Sequence, residues 1–216
     1  HAGQRVLNGG KPLGKAAVAV IMIHGRGAGP ENILDLVPAL GRPEVTYLAP
    51  AAANRTWYPF SFMADIAKNE PDLSSALSVI ASLVADVEAA GIARDHIVML
   101  GFSQGACLTT EYAVRNASRF GGIVAFSGGA IGPPGTTWNE SGRFGRTPMF
   151  FRSRDVDEAL LAADRAAVEK QILQSGVGPA VVGGRDKTLQ PHAVAFAGHR
   201  DQIGRLVLLD PGAGDL

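Results

Sequence analysis

The sequence predicts an α/β domain in which a mostly parallel sheet is covered by helices on both faces. Two observations predict it. Apolar segments of strand length alternate with longer segments of helical period along the chain. Each strand segment is apolar along its whole length, whereas a strand buried on one face alternates apolar and polar residues. Crossovers between parallel strands are right-handed by default. A length of 216 residues fits one domain with a substantial core, spanning 1–216.

The elements follow in order. Residues 4–15 read as a short hairpin that turns at Asn8-Gly9-Gly10. "AAVAVIMI", residues 16–23, is a buried strand and is too short to span a bilayer. The loop "HGRGAG" follows, and Pro30, with Glu31 in the first turn, opens a helix. "VTYLAP", residues 45–50, is the next strand. Leu73, Leu77, Ile80, Val84 and Val87 recur with helical period over 72–90, and Gly91 stops that helix. "HIVMLGF" (96–102) is a strand, 104–117 a helix, "GIVAFS" (122–127) a strand, "TPMFF" (147–151) a strand and 156–174 a helix. Residues 128–146, rich in Gly, Pro and Thr, read as a long surface loop.

Composition narrows the function. Twenty basic and twenty acidic side chains balance, so the chain carries no electrostatic footprint for nucleic acid and no polybasic patch for anionic lipid. The single cysteine, Cys107, excludes an internal disulfide and any cysteine-built metal site. One helical turn beyond Ser103, it reads as a small core residue. A cytoplasmic location is the expectation and a homodimer is left open. His1 is not an initiator methionine, as expected of a processed form or of a domain cut from something longer.

In open parallel sheets ligands bind beyond the carboxyl ends of the strands, which directs attention to the loops after 23, 50, 102, 127 and 151. Gly101-Phe102-Ser103-Gln104-Gly105 lies between a strand and a helix, the setting a G-x-S-x-G nucleophile elbow demands. A plain turn serine that caps a helix is the competing reading. Serine needs a base, an orienting acid and donors for the developing oxyanion. The expected donors are the backbone N–H of Gln104 and that of Arg26 in the loop "HGRG". His24 in that loop reads as scaffold. His96 lies seven residues before Ser103 on the same strand, about 23 Å away, and cannot reach. His199 and His192 remain as candidate bases; His199, between Gly198 and a helical stretch, is preferred. Asp155 and Asp157 follow the strand 147–151; Asp157 is taken as the acid that orients the imidazole and Asp155 as structural. Trp57, Tyr58, Phe60 and Phe62 fall at the active edge. Trp57 and Tyr58 are expected to line a substrate pocket, with Met63 and Trp138 adding to its wall.

Four segments in this order, "VIMIHGRGAGPENILDL", "LAPAAANRTWYPFSF", "VMLGFSQGACLTTEYA" and "FSGGAIGP", resemble the small bacterial carboxylesterases of the phospholipase/carboxylesterase family. These are relatives of acyl-protein thioesterases within the α/β-hydrolase fold. The resemblance runs from about residue 12 to 157, and residues 176–216 depart from the family pattern. It implies ester or thioester hydrolysis by a serine triad without metal or organic cofactor, and it implies that Asp157, second in a D-x-D loop, is the acid. No long helical lid is visible, so an open cleft for short-chain or accessible esters is expected. The alternatives are an acyl-thioesterase or lysophospholipase with the same triad, or a non-catalytic hydrolase-fold binding protein.

Overall fold

The computed structural model describes residues 1–137, 142–152 and 181–182. Within them the chain forms a seven-stranded sheet: β1 (Val6–Gly10), β2 (Ala19–Ile23), β3 (Thr46–Pro50), β4 (Ile97–Phe102), β5 (Gly122–Phe126), β6 (Met149–Arg152) and β7 (Val181–Val182). Their spatial order is β1-β3-β2-β4-β5-β6-β7. Only β1 runs antiparallel; the other pairings are parallel. The α/β-hydrolase class read from the sequence is the fold observed.

The continuous apolar runs do bury both faces, and the strand period of two sorts them. Ile21 and Ile23 of β2, Ile97 and Met99 of β4, and Ile123 of β5 face one cluster with α3 (Asp72–Ala89) and α4 (Gln104–Arg115). Val20 and Met22, Val98 and Leu100, and Val124 face the other, against Ile33 of α1 (Pro30–Leu34) and Leu40 of α2 (Val37–Leu40). Pro30 opens α1 as expected, and Asn32 Oδ1 accepts the Gly29 N–H at 2.9 Å. Gly91, at φ +91°, ends α3. Its N–H reaches Glu88 O (3.0 Å) and the Ile92 N–H reaches Val87 O (3.2 Å), while Ile92 and Val87 share one core cluster: a Schellman closure.

Three expectations are corrected. The hairpin over 4–15 does not form: Asn8, Gly9 and Gly10 lie inside β1, which pairs with β3 from Val6↔Pro50 to Gly10↔Thr46. The glycines serve close packing there, since a Cβ on Gly10 would stand 2.9 Å from Tyr47 Cδ2. His96 belongs to a 3-10 turn, Arg94–His96, ahead of β4 and so stays at the far edge from Ser103. Residues 128–146 are not wholly a surface loop, because Ala130, Ile131 and Phe144 are buried. The reason is a buried carboxylate: Glu111 on α4 accepts the Ile131 N–H at 3.1 Å and the Arg115 Nε–H at 2.7 Å, drawing the segment inward. The helix expected over 156–174 lies outside the described residues.

Candidate active site

β4 ends at Phe102 and α4 begins at Gln104, so Ser103 alone makes the turn. Its backbone takes φ +53° and ψ −119°, a conformation that L side chains rarely adopt and that must be held by its surroundings. Three hydrogen bonds hold it. The Ser103 N–H donates to Phe126 O at the end of β5 (2.8 Å), and Ser103 O accepts from Ala106 N–H (2.9 Å) and Cys107 N–H (3.1 Å).

The glycines around it answer to contacts. A Cβ on Gly101 would collide with the Gly105 backbone and stand 2.6 Å from Thr109 Oγ1. One on Gly105 would collide with the carbonyls of Ile23 and His24. One on Gly128 would lie 2.6 Å from Ala106 Cβ and 2.9 Å from Ser103 O. Strand, turn and helix are therefore pressed together at van der Waals limits. The loop after β2 is pressed against the same turn, for a Cβ on Gly25 would meet Ser103 Cβ at 3.4 Å. That places the "HGRG" loop beside Ser103.

His24 is scaffold. The ring is buried, Nε2 accepts the Ala52 N–H at 3.1 Å, and Nδ1 donates to Gly25 O at 2.8 Å. These partners fix the neutral tautomer with the proton on Nδ1. Burial holds the pKa below the ordinary 6.5, outweighing the Gly25 carbonyl and Glu31, which pull it up. The unfolded chain therefore binds a proton that the folded chain refuses. Stability is expected to fall as pH drops through about 6.5 toward the folded-state value. Denaturant midpoints at about pH 7.5 and 5.5 check this: His24→Gln should lose less between the two than the native protein. An equal loss in both would mean that His24 does not contribute to the slope.

Trp57 and Tyr58 do not sit where the pocket expectation puts them. They are 0% and 1% exposed. The Trp57 indole N–H donates to His24 O at 2.8 Å and its ring lies 4.9 Å from the His24 ring, so the side chain supports the loop from beneath. Burial, followed by Cys107, pushes the Tyr58 hydroxyl far above its ordinary range. Their aromatic bulk serves the core here, as an apolar surface behind a loop must be filled. Met63 is half-buried, its N–H on Ser61 Oγ at 3.2 Å, and Phe60 is exposed.

Side chains of Arg26 and Gln104 add what motif reading missed. Gln104, buried, accepts the Trp57 N–H on Oε1 (2.9 Å) and donates through Nε2 to Tyr58 O (2.7 Å). Arg26 donates from Nη1 to Pro59 O and from Nη2 to Tyr58 O and Phe60 O, each at 2.9 Å. No spacing rule signals such contacts, because the partners are main-chain groups more than thirty residues away. The Gln104 N–H stands in the first turn of α4, where no intrahelical acceptor exists. Cys107 is buried and its Sγ accepts the Gly129 N–H at 3.4 Å, in keeping with a core role. Asp155, Asp157, His192, His199 and Trp138 lie outside the described residues.

The family model for phospholipase/carboxylesterase matches residues 6–175. Acyl-protein thioesterase 1 of Eremothecium gossypii is 31% identical over 100 residues, 45% of this chain and 41% of that protein. Lysophospholipase-like protein 1 of Mus musculus is 22% identical over 134 residues, 54% of this chain and 56% of that protein. The chain thus spans about half the length of those two relatives. Among solved structures, a phospholipase/carboxylesterase from Dyadobacter fermentans matches with a TM-score of 0.80 and 36% identity, covering 95% of this chain and 96% of that one. A Bacillus cereus carboxylesterase, 15% identical with a TM-score of 0.64 over 95% of each chain, shares the fold. With a strained serine elbow, an adjoining glycine loop and a match that takes in both, the chain belongs to the phospholipase/carboxylesterase family of α/β-hydrolases.

Proposed function

We propose that the protein is a serine carboxylesterase that hydrolyses short-chain or otherwise accessible carboxylic esters through an acyl-enzyme. The observation that carries this reading is the backbone of Ser103, held at positive φ between β4 and α4 with the "HGRG" loop packed against it. A serine that only capped a helix would have no use for that conformation. In the proposed site that turn carries the nucleophilic hydroxyl, since it lies at the carboxyl end of β4, where ligands bind in such sheets.

In the proposed reaction Ser103 Oγ attacks the ester carbonyl carbon while His199 takes its proton. Asp157 keeps the imidazole oriented and stabilises the imidazolium. The carbonyl oxygen, now negative, is received by the N–H groups of Arg26 and Gln104. Collapse expels the alcohol, which carries away the proton held on His199. Water, deprotonated by the same histidine, then attacks the acyl-enzyme and releases the acid. His192 is the alternative base. No metal or organic cofactor is needed for these steps.

The likeness to a protein named acyl-protein thioesterase 1 supports a second reading, thioester hydrolysis by the same residues. Turnover of 4-nitrophenyl esters of rising acyl length, with and without a serine-directed phosphonate, tests the first. Hydrolysis that stops on stoichiometric labelling of Ser103 supports it; a folded sample that neither turns over nor labels overturns it. Matched acyl esters and acyl thioesters, compared by kcat/KM, separate the two substrate classes.

A further inference from the structure

We propose that the side chains of Arg26 and Gln104 are positioning elements that tie both oxyanion donors to one backbone strap, residues 57–60. The proposal rests on the functional reading above, because the orientation of these N–H groups matters only if Ser103 attacks a carbonyl.

The contacts converge on a short segment. Gln104 holds the Trp57 N–H and the Tyr58 carbonyl at 2.9 and 2.7 Å. Arg26 holds the Tyr58, Pro59 and Phe60 carbonyls, each at 2.9 Å, with its guanidinium carbon 5.9 Å from the Tyr58 ring centroid. The Tyr58 carbonyl accepts from both residues and so spends both lone pairs on them. The strap is itself anchored. The Trp57 indole N–H reaches back to His24 O (2.8 Å), and the Phe60 N–H reaches the buried Asn69 Oδ1 (2.9 Å).

Such a restraint answers a local weakness. Arg26 sits between Gly25 and Gly27, the latter at φ +77°, so the backbone carrying its N–H has unusual freedom. Loop bonds from Gly27 N–H to Arg55 O (2.8 Å) and Ala28 N–H to Gly25 O (3.2 Å) fix the flanks of the turn. The guanidinium fixes Arg26 from its far end. A planar fork with several donors suits three carbonyls in a row; a lysine ammonium would serve as one point only. The α4 side of the hole is braced on the same strap through Gln104. A shift of the strap would therefore move both donors together, and transition-state stabilisation is sensitive to displacements of about 1 Å.

Steady-state kinetics with 4-nitrophenyl acetate and inhibition by an alkyl boronic acid, which forms a tetrahedral adduct on serine, test this on the full chain. Arg26→Met is expected to lower kcat by about 10- to 100-fold, to leave KM within about twofold, and to weaken the boronate by a factor matching the kcat loss. Arg26→Lys should fall between it and the native protein. Arg26→Met combined with Gln104→Met should lose less than the product of the two single losses, since each acts through the same strap. Native kcat and boronate affinity in folded Arg26→Met would overturn the proposal, as would a loss confined to KM. A double loss equal to the product would overturn the shared strap. Arg26 is exposed, so its variants are expected to fold, and a thermal melt of each variant checks this before its kinetics are read. A native protein that neither turns over nor labels at Ser103 sinks the esterase reading and this proposal with it. An active native protein whose variants are indifferent sinks this proposal alone.

Discussion

Ser103→Ala is expected to lower kcat/KM for 4-nitrophenyl esters by about 10⁴-fold or more while leaving the fold intact. The size follows from the proposed role: if Ser103 is the nucleophile, its loss removes the acyl-enzyme and leaves only binding and the proposed oxyanion donors to assist water. The fold survives because the contacts that hold the elbow are made by main-chain atoms. The Ser103 N–H on Phe126 O and Ser103 O under Ala106 and Cys107 do not involve the side chain. Alanine meets the same steric objection to φ +53° that serine already meets, so its cost in stability is within about 1 kcal/mol. Cys107 offers no rescue, being buried and engaged by the Gly129 N–H. Circular dichroism and a thermal melt establish the folded state, and turnover then decides. Activity within tenfold of the native protein would remove Ser103 from the chemistry and leave the strained turn without a catalytic reason.

Why the serine was legible and its surroundings less so has a physical cause. The elbow leaves a local trace: glycine on both sides of a serine, after an apolar strand and before a helix, because side chains at 101 and 105 would overlap backbone. The sheet is legible for a related reason, since burial on both faces excludes polar residues from β2, β4 and β5. The termini of elements were legible where a single residue decides them, as Gly91 does for α3 and Pro30 for α1. The first strand misled because Asn-Gly-Gly is a turn signal locally, whereas the open edge of β3 offered five residues a ladder. Trp57 and Tyr58 misled because an aromatic pair beside a site reads the same whether it faces substrate or the back of a loop. Only burial distinguishes the two, and burial is a property of the whole fold. The clasp of Arg26 and Gln104 on main-chain carbonyls and one main-chain N–H left no pattern at all, since nearly every residue offers both groups.

Gly105→Ala is expected to cost about 3 kcal/mol of stability and about 10²-fold in kcat, two losses with one origin. A Cβ at 105 would overlap Ile23 O and His24 O and stand 2.7 Å from the Ile23 carbonyl carbon. These are backbone atoms of the last residue of β2 and of the first residue of the loop, so no rotamer change relieves the overlap. Either α4 retreats from the sheet or the "HGRG" loop is pushed outward. Retreat breaks the bonds that hold Ser103, and displacement moves the Arg26 N–H away from the oxyanion position proposed for it. For a chain of this length the stability loss corresponds to a drop in Tm of roughly 6–12 °C. Gly14→Ala is the control: nothing lies within 4 Å of the added methyl and its φ is ordinary, so both quantities should stay near native. The two readouts also discriminate. A lowered Tm with native kcat in the folded fraction would mean that the contact is structural and the loop after β2 supplies no donor. A lowered kcat with native Tm would mean that the loop yields easily, and that the backbone beside Ser103 is softer than its glycines suggest. Native values of both would show that the strand, the turn and the helix do not meet as closely as Gly105 implies, and the steric account of the elbow would fail with them.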